Sequence, residues 1–233
     1  MNLSKKPFRP IARQQGFTLV EIAIVLVIIG LLLGGILKGQ EMITQAKIKN
    51  VMSDYSGISA AYHGYLDRYR VIPGDDSGAT ARWTSLATTE KGNGDGTVAG
   101  AYNTSTADAE SRLFWLHLRT AGFVSGTGQQ QPFNALTGIL GVQTGDAQAT
   151  IGPTLLNASG GNGFVGLIIC SANLPDKIAI AVDTQMDDGV PNTGTVRALL
   201  QTAPNPAIGS GQVATNPAYI ENGSNTYTLC RSF

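Results

Sequence analysis

The sequence is poor in charge, in histidine and in cysteine, and each shortage excludes a class of function. Charged residues make up 14% of the 233 residues and the formal net charge is zero, so no basic field is present to hold a nucleic-acid backbone. Two cysteines cannot build a four-cysteine zinc module. The two histidines, His63 and His117, belong to no G-x-S-x-G, H-E-x-x-H, C-x-x-C or phosphate-loop pattern, and we therefore expect no enzyme.

The charge that is present is concentrated before a long apolar run. Residues 1–16 contain four basic residues and no acidic one, and residues 17–37 contain a single formal charge, at Glu21. A helix of that length crosses a hydrocarbon layer of about 30 Å. The basic flank places the N-terminal side in the cytoplasm. The remainder of the chain is then expected outside the cytoplasmic membrane.

The small residue that a peptidase cleavage site would need lies before this apolar run and not after it. An ordinary secretory signal is cut after its apolar region, but no A-x-A-like site follows Leu37, whereas Gly16 precedes the run. Cutting after Gly16 removes only the basic leader and keeps the helix. The segment Arg13–Glu21 reads RQQGFTLVE and resembles the prepilin cleavage and methylation motif of type IV pilins and type II secretion pseudopilins.

The resemblance implies a role for each residue of the motif. A prepilin peptidase is expected to cut between Gly16 and Phe17 and to methylate the new amine of Phe17. Glu21, the fifth residue after the cut, is expected to face the terminal amine of a neighbouring subunit during assembly. A carboxylate one turn inside a membrane helix is costly without a partner, and that amine supplies the opposite charge. The alternative is a Glu21 side chain that reaches the membrane surface.

Helical periodicity continues beyond the apolar run. Apolar residues at spacings of four and three predict an amphipathic continuation that Pro73 and Gly74 end; they are Val51, Tyr55, Ile58, Tyr62, Tyr65 and Tyr69. We therefore predict a cleaved leader at 1–16, one helix over 17–70 with its transmembrane half at 17–37, and a head at 71–233.

The head is predicted to be of the α+β class. Residues 109–121 indicate a helix with Asp108 as its N-cap and Gly122 as its stop, while 75–106 and 125–163 are predicted to be irregular. Four segments are typical of strands: Phe164–Cys170, Lys177–Asp183, Thr195–Leu200 and Tyr227–Cys230. A small, mainly antiparallel sheet packed on the long helix gives the lollipop shape that the pilin resemblance also implies.

The two cysteines each end a candidate strand. Outside the cytoplasm a Cys170–Cys230 disulfide is favoured, and the alternative is two separate buried thiols. The resemblance supports the disulfide, because many pilins have a C-terminal loop bounded by one.

Two acidic turns in the sequence are candidate metal-binding sites. Asn93 and Asp95 lie in an Asn-Gly-Asp-Gly turn, and Asp187 and Asp188 precede a glycine. Carboxylate and loop carbonyl oxygens suit calcium, with Asp95 and Asp187 as the first candidate ligands and Asp188 and Asn93 next. The same composition is also ordinary turn chemistry, and the twelve-residue EF-hand pattern is missing. No other cofactor is expected.

The resemblance implies a structural subunit of a type IV pilus-like filament that serves adhesion or motility. Its partners would be copies of itself, the prepilin peptidase, an assembly platform with its ATPase, and the inner membrane. The head would lie in the periplasm before assembly and in an extracellular pilus afterwards. Two alternatives are a type II secretion pseudopilin in a periplasmic pseudopilus, and a membrane-anchored periplasmic binding module that never polymerises.

Overall fold

The computed structural model describes Gly16 and residues 18–145, 163–208 and 218–233. The chain divides into two compact units, one ending at Ile43 and the other running from Thr44 to Phe233. The predicted leader lies outside the described residues except for Gly16, and so does Phe17.

Helix α1 (Leu19–Tyr69) is 51 residues long and agrees with the helix predicted over 17–70. From Ile22 to Leu37 its surface is apolar on every side, and large side chains such as Leu26 and Leu31 are exposed. This part is long and apolar enough to cross a membrane. Leucine, isoleucine and valine on every side of a helix leave no polar face to turn toward water.

In the second unit α1 has one buried face. Val51, Tyr55, Ile58 and Tyr65 of the predicted stripe are buried, as are Ile48 and Ala61. Tyr62 and Tyr69, which were also predicted to lie on this face, are partly buried. The Tyr55 hydroxyl donates a 2.7 Å hydrogen bond to the carbonyl oxygen of Leu229, which fixes the helix to the last strand of the sheet. Arg70, the residue after the helix, has a φ of 60° and ends it in a left-handed turn.

In the part of the chain that the structure describes, four antiparallel strands form one sheet in the order β1-β2-β4-β3. They are β1 (Leu140–Thr144), β2 (Leu167–Pro175), β3 (Val196–Leu200) and β4 (Thr226–Ser232). Because side chains alternate along a strand, the sheet separates two core clusters. Ile169 and Leu229 face the cluster that includes α1, whereas Ile168 and Cys170 face the cluster formed with Tyr102. The predicted α+β class with a long N-terminal helix and a small antiparallel sheet is confirmed.

The disulfide joins two neighbouring strands. Cys170 of β2 lies directly opposite Cys230 of β4 in the sheet register, and their sulfur atoms are bonded at 2.02 Å. Both side chains are fully buried. The pairing expected from the sequence is therefore present, and it anchors the C-terminal strand in the middle of the sheet.

The described residues of the second unit also form helices α2 (Ala79–Arg82), α3 (Glu110–Thr120) and α4 (Asp176–Met186). The predicted strand over Lys177–Asp183 is wrong, because that segment belongs to α4. Its buried residues Ile178, Ala179 and Val182 follow the helical period, which a short apolar run does not distinguish from a buried strand.

Two further expectations are corrected. The segment 125–163 was expected to be irregular, yet it contains β1. Asp108 was expected to cap α3, but the N-cap is Ala109. Asp108 adopts a φ of 58° and its carboxylate instead accepts a 2.7 Å hydrogen bond from Gln129.

Candidate functional site

The start of α1 contains a reciprocal helix cap. The Thr18 backbone N–H donates to Glu21 Oε2 at 2.8 Å, and the Glu21 backbone N–H donates to Thr18 Oγ1 at 3.2 Å. The Thr18 hydroxyl also donates to Glu21 Oε2 at 2.8 Å. This is a capping box, in which each side chain satisfies an amide that the helix leaves unpaired. The spacing Thr-x-x-Glu is the sequence signal for this cap, whereas the prediction for Glu21 rested only on its charge.

The predicted cleavage site adjoins this cap. Gly16 is exposed, and Phe17, whose amine would be methylated, lies outside the described residues. A cut after Gly16 would create a new amine one residue before Thr18. The capping box would then hold the Glu21 carboxylate beside the new N-terminus of its own chain.

The first acidic turn is organised by hydrogen bonds from backbone amides. The buried Asp75 carboxylate accepts from the amides of Gly94, Asp95 and Gly96 at 2.6–3.1 Å. The buried Glu110 carboxylate accepts from the amides of Asn93 and Ala99. Asp75, Asp95 and Glu110 each bring a carboxylate oxygen within 4.8 Å of the others. The two buried carboxylates, those of Asp75 and Glu110, already accept hydrogen bonds from backbone amides of the turn.

Asn93 and Asp95, two of the candidate calcium ligands, also bond to the turn itself. The Asn93 side-chain oxygen accepts from the Asp95 amide at 2.8 Å, and its nitrogen donates to Asp95 Oδ2 at 2.9 Å. Asp95 Oδ1 accepts from the amide and the hydroxyl of Thr97. This geometry favours the ordinary-turn alternative for Asn93 and Asp95.

The second acidic turn is built differently. Asp187 and Asp188, the other two candidates, directly follow α4, and Asp183 from the last turn of α4 brings a carboxylate oxygen within 4.8 Å of theirs. Asp187 Oδ2 accepts from the amide of Val196 in β3 at 2.9 Å. Asp188 accepts from the Val190 amide and the Thr193 hydroxyl.

Asp183 is the residue that the sequence analysis missed. Its side chain is 0% exposed, and its Oδ2 accepts a 2.6 Å hydrogen bond from the Tyr219 hydroxyl. The Gly189 amide also donates a hydrogen bond to this carboxylate. Burial raises the pKa of Asp183 to about 6, and the nearby charges of Asp188 and Asp187 act in the same direction.

One basic side chain lies near this acidic group. The guanidinium of Arg197 in β3 stacks over the Phe164 ring at 4.5 Å, and its Nε donates to the Gly194 carbonyl. Partial burial lowers the pKa of Arg197, while the charges of Asp187 and Asp188 oppose that shift. Arg197 therefore offsets part of the negative charge of this turn.

His117 is a buried structural residue. Its Nδ1 accepts a 3.0 Å hydrogen bond from the Gly74 amide, so the ring proton lies on Nε2, which faces the Glu90 carbonyl oxygen at 3.2 Å. Burial lowers the pKa of His117 to about 4. The neutral ring thus joins α3 to the two loops that contain Gly74 and Glu90.

Comparison with known proteins identifies the N-terminal segment. Residues 11–37 match the family model described as the prokaryotic N-terminal methylation motif, which is the signature of type IV pilins and pseudopilins. The resemblance found in the sequence is thereby confirmed. No curated protein and no solved structure matches the chain. Proteins with this motif are structural subunits rather than enzymes, and the motif implies peptidase processing and filament assembly in general.

Proposed function

Because residues 11–37 carry the N-terminal methylation motif of type IV pilins and pseudopilins, we propose that the chain is a non-catalytic subunit of a type IV pilus-like filament. Prepilin peptidase cuts it after Gly16 and methylates the amine of Phe17. The mature subunit polymerises through the apolar part of α1. The observation that carries the proposal is the position of the motif, which begins before α1 and extends through its apolar part, where the described large side chains are exposed.

The apolar part of α1 needs an external cover. Its large hydrophobic side chains are exposed from Leu19, at 86%, to Ile43, which is far more apolar surface than a soluble monomer leaves in water. Lipid of the inner membrane covers it before assembly. Neighbouring copies of the same helix replace the lipid in the filament.

Glu21 sets the axial position of each subunit in this scheme. It is the only formally charged residue between Phe17 and Leu37, and an unpaired carboxylate among bundled apolar helices is costly. The methylated amine of Phe17 on a neighbouring subunit supplies the opposite charge. The capping box holds the carboxylate at the first turn of the helix, where that amine can reach it.

The disulfide favours a pilus over a pseudopilus through the resemblance alone, because many pilins have a C-terminal loop bounded by such a bond. Disulfides form and persist in oxidising compartments, which agrees with a head in the periplasm before assembly. A covalent bond between the central strands of the sheet suits a fibre that leaves the cell and serves adhesion or motility. The assembly platform and its ATPase are partners that the proposal requires, because filament growth needs an energy source that this subunit does not supply.

The first test is mass spectrometry of the mature N-terminus in a sheared surface fraction and in the membranes of native cells. N-methyl-Phe17 in the sheared fraction is the expected result. N-methyl-Phe17 confined to membranes would favour the secretion pseudopilin. An intact leader in both fractions would overturn the proposal and favour the membrane-anchored binding module.

The second test addresses assembly. Glu21→Ala is expected to abolish sheared filaments while the processed protein stays in the membrane. Glu41→Ala is the matched control, because Glu41 is an exposed glutamate of the same helix that pairs with Lys38 at 2.7 Å outside the motif. Filaments from the Glu21→Ala variant at the normal level would contradict the role given to this carboxylate.

A further inference from the structure

A small cleft in the second unit has no part in the filament proposal. It has a volume of about 260 Å³ and is lined by residues 103–105 of the loop before α3, by Arg112 in the first turn of α3, and by residues between 130 and 139 that lead into β1. We propose that this cleft binds one sugar ring that carries a carboxylate, such as a uronic or sialic acid residue of a glycan. The inference concerns the second unit alone and does not depend on how the N-terminus is processed.

Most of the described residues that line the cleft have neutral hydroxyl or amide side chains. Gln131 Nε2 donates to the carbonyl oxygens of Tyr102 and Thr104 at 3.2 and 2.8 Å. Asn103 Nδ2 donates to the carbonyl oxygen of Asn205 at 2.9 Å. The two amide groups are thereby oriented, and their oxygens accept no hydrogen bond from a described residue. Such a lining suits the hydroxyl groups of a sugar, which both donate and accept.

Arg112 supplies the positive charge of the cleft. Its Nη1 donates to the Ser105 carbonyl oxygen at 2.7 Å, whereas its buried Nε has no acceptor among the described residues. Arg112 also forms no ion pair with a described residue. Its charge acts on Asp108, but hydrogen bonds from Gln129 and Thr89 contribute more to the lowered pKa of that carboxyl. The guanidinium therefore keeps unused N–H donors, and a ligand carboxylate is the acceptor that its planar fork fits.

Phe133 supplies a flat apolar surface beside these polar groups. Its side chain is 66% exposed, and among the described residues it is the only exposed Phe, Tyr or Trp. An antiparallel bridge between Phe133 and Ile139 holds its backbone. The C–H groups on one face of a sugar ring pack on such an aromatic face, while the hydroxyl groups at the edge of the sugar reach the amides.

The combination favours an acidic sugar over other carboxylates. The cleft is smaller than the 300–1,000 Å³ that is typical of sites for drug-sized ligands, so it holds roughly one ring. One guanidinium matches one carboxylate. A peptide C-terminus offers the same carboxylate, but it lacks the set of hydroxyl groups that a lining of several neutral amides and hydroxyls is able to pair.

Saturation-transfer NMR and calorimetry of the full chain test the proposal, in a neutral detergent that has no sugar headgroup. The probes are the methyl glycosides of glucuronic, galacturonic and N-acetylneuraminic acid. The methyl ester of each is its neutral counterpart, and triglycine is the peptide carboxylate. At least one acidic glycoside is expected to bind about tenfold or more tightly than its ester, because the ester cannot form charge-assisted hydrogen bonds with Arg112. Triglycine is expected to bind more weakly than that glycoside.

Variants locate the ligand. Arg112→Gln is expected to weaken binding of the acidic glycoside about tenfold and to remove its advantage over the ester. Phe133→Ala removes an exposed ring, so it is expected to weaken acid and ester alike, by about fivefold, without lowering the melting temperature. Arg70→Gln is the matched control and is expected to bind normally, because Arg70 is an exposed arginine outside the cleft that pairs with Asp67 at 3.2 Å.

Several outcomes would overturn the proposal. They are an absence of binding by all three acidic glycosides, equal affinity for acid and ester, tighter binding of triglycine than of every glycoside, and binding that Arg112→Gln and Phe133→Ala both leave unchanged. None of these measurements involves a filament, so such a result would leave the proposed function untouched.

Discussion

Two buried ionisable side chains, Asp183 and His117, have pKa values that are shifted in opposite directions. Burial raises the pKa of Asp183 to about 6, although hydrogen bonds from the Tyr219 hydroxyl and the Gly189 amide oppose the shift. His117 is buried with both ring nitrogens engaged, by the Gly74 amide and the Glu90 carbonyl, and its pKa falls to about 4. The charge of Arg82 acts in the same direction, the charge of Glu90 opposes it, and the Tyr65 ring stacks on the imidazole. Protonation of His117 would remove the acceptor that the Gly74 amide requires.

The pH dependence of stability follows from the lowered pKa of His117. In the unfolded chain this residue takes up a proton below its ordinary pKa of 6.5, whereas in the folded chain it resists until about 4. Stability is therefore constant above pH 6.5 with respect to this residue and is lost as the pH falls from 6.5 to 4, by at most roughly 3 kcal/mol.

The measurement is urea unfolding of the wild type and of His117→Gln across that pH range. The glutamine variant keeps a polar side chain but does not titrate, so its slope should be flatter. Asp183 is present in both proteins and cancels in the difference. Parallel pH profiles for the two proteins would show that His117 contributes nothing to the dependence.

At the scale of elements, helical periodicity in the sequence predicted the long helix α1. The shorter elements were predicted less well, because a short apolar run fits a helix and a strand equally. The stripe of α1 predicted its buried face because six residues repeat one period over several turns. The segment of α4 is too short for its apolar residues to separate a helix from a strand. Because this segment was predicted as a strand, Asp183 was not expected near Asp187. Only helical spacing brings the two side chains together. Turn composition made Asp187 and Asp188 candidate ligands, and that role stays a prediction.

Strand β1 was not predicted, because Gly141 lowers the strand propensity of this short segment. The structure shows why glycine is present: a Cβ at Gly141 would lie 2.0 Å from the carbonyl oxygen of Tyr102. A loop backbone packs directly against the strand, and this contact exists only in the folded chain. No local pattern in the sequence reveals a tertiary requirement of this kind.

Gly141→Ala is expected to destabilise the second unit by about 2 kcal/mol or more, because the strand must move away from the Tyr102 backbone. Gly166→Ala is the matched control, since a Cβ there has no atom within 4 Å, and its effect should stay within about 0.5 kcal/mol. Thermal unfolding of both variants provides the measurement. Equal melting temperatures would contradict the close approach.

At the scale of the whole molecule, the two compact units have opposite surfaces. The unit ending at Ile43 exposes its described large apolar side chains. The described part of the unit from Thr44 onward buries most of its own in two clusters on the faces of one sheet, with exceptions such as Phe133 and Val165. The first is stable only with lipid or other helices around it. The second has its own core and a covalent cross-link.

Removal of that cross-link measures its contribution. The double variant Cys170→Ala and Cys230→Ala opens a loop of 60 residues and is expected to lose roughly 4 kcal/mol of unfolding free energy. Urea unfolding under oxidising conditions compares it with the wild type. As a control, reduction of the wild type should reproduce the loss and leave the double variant unchanged.

The position of the last strand also determines when the sheet is able to form. Strand β4 lies between β2 and β3 although it follows both in the sequence, and it supplies Cys230 and the carbonyl that accepts the Tyr55 hydroxyl. A nascent chain in which β4 has not yet been translated lacks a partner of β3, one neighbour of β2 and an anchor of α1. The sheet therefore closes only after β4 has been synthesised. A chain truncated before β4 is expected to leave the sheet open and to be degraded by proteases.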